Sequence, residues 1–127
     1  MAEKEKKRIL IIEDSKDLGN ALKGVLELEG FDVLWATDGV SGLEKATHNK
    51  PALILLDLML PKLSGFDVCK MLKTNAVTWR IPVVVMSTLS KPEQMDRAKE
   101  MGANHFIKKP YDLDAVISEV KKFLPPA

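Results

Sequence analysis

Three acidic residues follow two short apolar runs in this sequence, and together they have the composition of a metal site. Glu13 and Asp14 come directly after the run RILII, and Asp57 closes the run ALILLD. Magnesium is a hard cation that prefers oxygen ligands and keeps several waters, so carboxylates supplemented by a carbonyl suit it. We expect Asp14 and Asp57 to be direct or near-direct ligands. Asp57 is also placed to be a nucleophile, since a carboxylate can attack phosphorus and form an aspartyl phosphate.

A hydroxyl and an ammonium group end two other apolar runs. Ser87 closes PVVVMS, and Lys109 follows HFIK. Lys109 would pair with a phosphoryl group as a point charge, while the Ser87 hydroxyl would donate a hydrogen bond to one of its oxygens. Side chains alternate along a strand, so only one of Lys108 and Lys109 can face the site, and we interpret Lys108 as solvated.

Each of these residues also has a simpler interpretation when taken alone. A lone acid after a strand is usually a helix N-terminal charge that the helix dipole favours. Asp57 fits that interpretation poorly, because it lies between the apolar stretches 52–56 and 58–60, where an acid is costly unless something pairs with it. His48 and His105 have no second histidine or cysteine at ligand spacing, so we interpret them as surface or packing residues.

Five apolar runs alternate with amphipathic stretches and predict the elements that position these side chains. Runs this rich in Ile, Leu and Val are typical of parallel strands covered by helices on both faces. The predicted fold is α/β: a doubly wound, five-stranded parallel sheet, flavodoxin-like, in three layers. Periodicity alone does not fix strand order, and we predict 2-1-3-4-5 because it is the one of the two common doubly wound orders that suits five units. Ligands bind such sheets at the carboxyl ends of the strands, where all the polar residues above fall. The runs are Arg8–Ile12, Asp32–Ala36, Ala52–Asp57, Pro82–Ser87 and His105–Lys108.

The helix patterns differ in strength. Apolar residues at one-face spacing predict strong helices around Leu22 and Val120, while the stripes around Leu43 and Met95 are thinner. Gly30 and Gly102 are expected just after helix ends. The segment 90–93 (SKPE) predicts a capping box that begins at Ser90, with a proline inside the first turn.

Composition excludes several classes of protein. The chain has 127 residues, 46% hydrophobic and 29% charged, which predicts one domain. A formal net charge of +1 gives no general attraction to nucleic acid. A single cysteine, Cys69, excludes an intrachain disulfide and is expected to be a small buried hydrophobe. No stretch resembles a membrane span or a secretory signal, so we expect a cytoplasmic protein.

The residues together resemble the receiver domains of two-component response regulators, of which the chemotaxis response regulator is a small, single-domain example. Four stretches carry the resemblance: ED at 13–14, LLDLMLPKLSGFDVCKMLK around Asp57, MST at 86–88, and GANHFIKKPYDLDAV with Lys109 and Pro110. Each is weak alone, but their order and spacing are specific and cover essentially the whole chain.

The resemblance implies a role for each matching residue, in the numbering of this sequence. The implied roles are phosphoacceptor for Asp57; metal ligands for Glu13, Asp14, Asp57 and the backbone carbonyl of Met59; invariant lysine for Lys109; and switch residues for Ser87 and Phe106. Two positions depart from the commonest pattern. Thr88 stands where a smaller residue is usual, and Phe106 lacks the hydroxyl of a tyrosine.

The resemblance also implies what the domain does. It would accept a phosphoryl group from a sensor histidine kinase or a histidine phosphotransfer protein, with Mg²⁺ or in its place Mn²⁺, and signal by a surface change. It would be no turnover enzyme, catalysing only its own phosphorylation and autodephosphorylation. We expect a downstream protein target or a fused output domain, and no direct contact with nucleic acid or membrane. The expected division is a flexible tail (1–7), the receiver domain (8–124) and a C-terminal tail (125–127), either acting alone or excised from a longer protein.

Two alternatives stay open at this point. One is a pseudo-receiver, an interaction module on the same fold that is never phosphorylated. The other is a flavodoxin-like cofactor binder or a small phosphohydrolase of the aspartyl-phosphate type. The second needs a hydroxyl-rich phosphate loop or a second acid two residues after the nucleophile, where this chain has Met59.

Overall fold

The computed structural model describes residues 6–88, 91–108 and 112–124, in which strands and helices alternate strictly. The strands lie within one residue of the predicted runs. β4 begins after Pro82, which has no amide hydrogen to donate, although its carbonyl still accepts from the Ile54 N–H at 3.0 Å. The elements are β1 (Arg8–Ile12), α1 (Lys16–Leu28), β2 (Asp32–Ala36), α2 (Gly39–Asn49), β3 (Leu53–Asp57), α3 (Gly65–Thr74), β4 (Val83–Ser87), α4 (Pro92–Glu100), β5 (His105–Lys108) and α5 (Leu113–Phe123).

The five strands form one parallel sheet of order β2-β1-β3-β4-β5, which confirms the predicted topology. The chain moves from β1 to β2 on one side and returns to β3 on the other, so strand order reverses between β1 and β3. Ile12 pairs with Leu56, and Asp57 pairs with Met86. This register brings the residues after β1 and the end of β3 to the same edge.

The sheet separates two hydrophobic clusters. Leu10 and Ile12 point into one cluster, covered by α2, α3 and α4. Ile9 and Ile11 point into the other, covered by α1 and α5. All four side chains are fully buried, because β1 lies at the centre of a sheet covered on both faces.

The helices differ in burial as their sequences predict. α1 buries Leu22 and Leu26, and α5 buries Val116 and Val120. α4 buries only Ala98, so its thin stripe is confirmed.

Helix ends follow the predicted signals except at the start of α4. Gly30 and Gly102 have φ of 95° and 101°, a conformation that favours glycine, just after α1 and α4. The predicted capping box at Ser90 is wrong by one residue, and Ser90 itself lies outside the described residues. Lys91 is the N-cap, and its N–H donates to the Gln94 side chain at 3.3 Å. Proline does occupy the first helical turn, as predicted.

The remaining predictions on organisation concern the ends of the chain. The two tails lie largely outside the described residues, so the division of the chain stays a prediction. Lys7 accepts the Asp32 N–H at 3.0 Å and thereby extends the pairing of β1 with β2 by one bond. Across residues 6–88, 91–108 and 112–124, none of the helices has the length and apolar character needed to cross a membrane.

Candidate functional site

Three carboxylates meet where β1 and β3 end. One oxygen each from Glu13, Asp14 and Asp57 lies within 4.8 Å of the others. Glu13 is 1% exposed and Asp57 3% exposed, whereas Asp14 faces solvent. Two unit charges 4.8 Å apart repel by about 3 kcal/mol at an effective dielectric constant of about 20. This donor set fits a hard divalent cation, which would reduce that repulsion.

The backbone after β1 is fixed by hydrogen bonds on both sides of Glu13. Its N–H donates to Ala36 at 3.0 Å, and its carbonyl accepts from the Trp35 indole N–H at 2.8 Å. A carboxylate oxygen of Glu13 accepts from the Ser15 N–H at 3.2 Å, and the Ser15 hydroxyl caps α1. The first acidic segment is therefore held at the edge of the sheet before any ligand binds.

A glycine in α1 makes room for the Trp35 ring. A Cβ on Gly19 would lie 2.1 Å from the ring atom Cζ2. Trp35 and Gly19 are supporting residues that the sequence analysis missed. The signal was a tryptophan on β2 together with a glycine inside a helix, where glycine costs about 1 kcal/mol relative to alanine.

The loop after β3 turns back so that α3 starts against the phosphoacceptor candidate. The Met59 N–H donates to the Asp57 carboxylate at 3.0 Å, and the Gly65 N–H donates to the Leu58 carbonyl at 3.0 Å. A Cβ on Gly65 would lie 2.3 Å from the Asp57 carbonyl oxygen. Glycine is required here because backbone packs directly on backbone. The Met59 side chain is exposed.

The residues of β4 and β5 extend the site along the edge. Ser87 is fully buried and pairs with Lys108, one step beyond the pairing of Asp57 with Met86. Lys108 is exposed, as predicted, and so is Thr88. The predicted Lys109 lies outside the described residues, so its place in the site stays a prediction.

Phe106 lies farther from the acids, on the side of α4. It is half-buried, packs against the cluster under α2, α3 and α4, and pairs with Val85. A cavity of about 240 Å³ adjoins it, lined also by Met95, Ala98 and Asn104. The ring therefore borders empty space on one side and the core on the other.

The residues interpreted as bystanders lie away from the acidic cluster. His48 Nδ1 lies 2.8 Å from the Glu44 carbonyl, and His105 Nε2 lies 3.1 Å from a carboxylate oxygen of Glu119. Cys69 is buried, as predicted, and burial raises the pKa of its thiol to about 11. Within the described ranges, Glu13, Asp14 and Asp57 form the single cluster of potential metal ligands.

Comparison with known proteins gives a consistent result. The family model described as "Response regulator receiver domain" matches residues 9–121. The regulator RpaA of Synechocystis, described as a DNA-binding dual master transcriptional regulator, is 37% identical over 92% of this chain but only 48% of its own length. Sporulation initiation phosphotransferase F of Bacillus subtilis is 31% identical, over 93% of this chain and 94% of its own.

A solved receiver-domain structure has the same fold as this chain. The BeF₃-activated N-terminal receiver domain of Klebsiella pneumoniae RstA superposes with a TM-score of 0.86 at 27% identity, covering 94% of this chain and all of that one (100%). The chain spans about half the length of the first curated relatives that it matches, at 48%, 52% and 48%. From the match over residues 9–121 and the parallel sheet of order 2-1-3-4-5, the chain belongs to the receiver domains of two-component response regulators.

Proposed function

We propose that Asp57 accepts a phosphoryl group from a phosphohistidine of a sensor kinase or phosphotransfer protein. The supporting observation is the meeting of three carboxylates within 4.8 Å, two of them nearly fully buried, beside the buried Ser87. Burying two carboxylates close together costs free energy, and acidic residues that have no binding role are usually left exposed to solvent. The pseudo-receiver alternative gains no support from such a site.

In the proposed reaction, a carboxylate oxygen of Asp57 attacks the phosphorus. The oxygen–phosphorus bond forms as the phosphorus–nitrogen bond of the donor breaks, and the leaving imidazole nitrogen keeps the electron pair and takes up a proton. Hydrolysis of the acyl phosphate by water returns the carboxylate and releases inorganic phosphate. The domain would therefore catalyse its own phosphorylation and dephosphorylation without turning over a separate substrate.

The other site residues would hold and orient the phosphoryl group. Glu13, Asp14, Asp57 and the Met59 carbonyl would bind a magnesium ion, or manganese in its place. That ion supplies positive charge to the phosphoryl oxygens. The Ser87 hydroxyl would donate to a phosphoryl oxygen, and Lys109 would pair with another.

The signal would leave the site as a change of the surface formed by α4, β5 and α5. Movement of Ser87 toward the new oxygens would free space for the Phe106 ring, which adjoins the 240 Å³ cavity. The downstream partner would be a protein or a fused output domain, with no direct nucleic acid or membrane contact by this domain. We also propose a cytoplasmic location, in keeping with the single buried cysteine.

The test is phosphorylation by acetyl phosphate with magnesium, followed by intact mass and peptide mapping. We expect one phosphoryl group on Asp57, its loss in Asp57→Asn, and its retention in the control Asp67→Asn, which removes an exposed acid of α3. A phosphoryl group that persists in Asp57→Asn and maps elsewhere would refute the assignment. No uptake by any variant, with magnesium present, would favour the pseudo-receiver.

A further inference from the structure

Helix α4 has little buried surface to fix its position. Ala98, 1% exposed, is the buried residue of this helix, and Met95 remains 39% exposed. A helix of 9 residues is too short to be stable in water by itself. The position of α4 therefore depends on the contacts that it makes with its neighbours α3 and β5.

Arg97 makes one of these contacts across the surface of α3. Its guanidinium carbon lies 4.2 Å from the ring centroid of Phe66, which is 7% exposed. A guanidinium over an aromatic face is attracted by the negative charge of the π system. Among the described residues no carboxylate forms an ion pair with Arg97, so this ring is its principal partner.

The C-terminal end of α4, one turn after Arg97, is held by two further contacts. The Cys69 thiol lies 3.7 Å from the Met101 carbonyl, and a Cβ on Gly102 would lie 2.7 Å from Cγ of Lys73. Lys73 is itself fixed, because its ammonium donates to the Ile81 carbonyl at 2.7 Å. With its C-terminal end docked in this way, α4 depends on the contact one turn earlier to set its tilt over α3.

Phe66 directly follows Gly65, and the backbone of Gly65 packs against the backbone of Asp57, the phosphoacceptor candidate. Gly65 donates to Leu58 and would place a Cβ 2.3 Å from the Asp57 carbonyl oxygen. A shift of the Asp57 backbone toward Gly65 has little room, because the two backbones already touch. Such a shift would displace the first turn of α3, and with it the Phe66 ring.

We propose that the contact between Arg97 and Phe66 couples the Asp57 loop to α4, along a route separate from Ser87 and Phe106. The inference rests on the proposed function, because it assigns the coupling to phosphorylation of Asp57. Arg97 is a positioning residue: it touches no reacting atom and acts through α3. Arg97 would determine how strongly the position of α4 changes when Asp57 is phosphorylated, and it would not affect phosphorylation itself.

The first test uses the unmodified protein and needs no phosphorylation. In Arg97→Gln, amide hydrogen exchange of residues 92–101 should become about two- to fivefold faster, which corresponds to about 0.4–1 kcal/mol. The matched control is Arg80→Gln. The Arg80 guanidinium carbon lies 4.9 Å from the ring centroid of Trp79. Arg80 precedes β4, whereas Asp57 lies at the opposite ends of the strands, so Arg80→Gln should leave exchange in α4 unchanged.

A double-mutant cycle then isolates the pair. Phe66→Leu keeps an apolar side chain in the core but removes the aromatic face. If the contact acts as proposed, Arg97→Gln adds less than twofold to the exchange rate of α4 in the Phe66→Leu background. Independent, multiplying effects would overturn the inference, and so would a uniform increase of exchange in all elements, which would indicate lower global stability only.

The second test adds beryllium fluoride and magnesium as a stable substitute for the phosphoryl group. In the unsubstituted chain, exchange in residues 92–101 should change on binding, and in Arg97→Gln that change should fall by at least half. Uptake of phosphate from acetyl phosphate should be equal in both. The inference would be overturned if beryllium fluoride changed the exchange of residues 92–101 as much in Arg97→Gln as in Arg80→Gln. That outcome would leave the proposed function standing. Absence of any phosphoryl uptake would instead refute the proposed function, while the cycle above still measures the contact.

Discussion

Replacement of Gly65 by alanine tests the claim that α3 starts against the backbone of Asp57. The new Cβ would lie 2.3 Å from the Asp57 carbonyl oxygen and 2.4 Å from Cα of Leu58. Contacts below 3.0 Å do not persist, so a shift of at least 3.0 − 2.3 = 0.7 Å is needed. Both contacts are to backbone, so no side chain can rotate away. Overpacking of this kind costs about 1–3 kcal/mol per site, and the helix propensity of alanine offsets at most about 1 kcal/mol.

We therefore expect Gly65→Ala to lower the free energy of unfolding by about 2 kcal/mol and to slow phosphorylation, because the loop that carries Asp57 must move. Gly24→Ala is the matched control. A Cβ on Gly24, in the exposed middle of α1, would meet nothing within 4 Å. That substitution should stabilise the fold by about 0.5–1 kcal/mol through helix propensity and leave phosphorylation unchanged.

The assays are urea unfolding and the rate of mass gain with acetyl phosphate. The reasoning is refuted if Gly65→Ala and Gly24→Ala have the same stability and the same rate. A destabilised Gly65→Ala with an unchanged rate would show that the close contact supports the fold but does not position Asp57.

The metal site, Ser87 and the buried Cys69 thiol can each be tested separately. Magnesium at about ten times its Kd should raise the free energy of unfolding by about 1.4 kcal/mol, and Asp14→Asn should reduce that gain. Thermal melts with and without magnesium measure both effects, and no gain in the unsubstituted chain would count against the metal site. Ser87→Ala should still be phosphorylated but lose about 1.5–3 kcal/mol of coupling, so that amide chemical shifts of residues 91–108 respond less to beryllium fluoride; a full response would exclude the Ser87 route. The pKa of the Cys69 thiol is raised by burial from 9.0 to about 11, so the thiol ionises first in the unfolded chain. Stability should be unaffected by this group below pH about 8 and fall by roughly 2 kcal/mol as pH rises to about 11, a loss that Cys69→Ala should lack in urea titrations.

Local pattern was enough to predict the sheet and the place of the acidic cluster. Fully buried parallel strands need continuous apolar residues, and this requirement identified Leu53–Asp57 and Val83–Ser87 to within one residue. Periodicity did not fix the strand order, which was chosen as the common doubly wound order that suits five units, and the carboxyl-end rule then brings Glu13 and Asp57 together.

Contacts between distant residues were not predictable in this way. The fit of Trp35 against Gly19 and of Arg97 over Phe66 depends on side-chain directions across elements, and neither pair has a characteristic spacing in the sequence. The start of α4 was misplaced by one residue because Ser90 and Glu93 have the usual spacing of a capping box, whereas it is the Lys91 N–H that donates to the Gln94 side chain. The capping energy of alternative residues differs by about 1 kcal/mol, too little for local sequence to decide between neighbouring positions.

The alternation of β1 between two separate clusters has a consequence for how such a domain can be re-engineered. Ile11 packs in the α1 and α5 layer, while its neighbour Ile12 packs in the layer that contains α3 and α4. Consecutive residues of β1 therefore belong to separate packing layers although their backbones are adjacent. A change of side-chain volume at Ile11 has to be accommodated against α1 and α5, and one at Ile12 against α2, α3 and α4. Each layer can thus be repacked through alternate residues of a single strand.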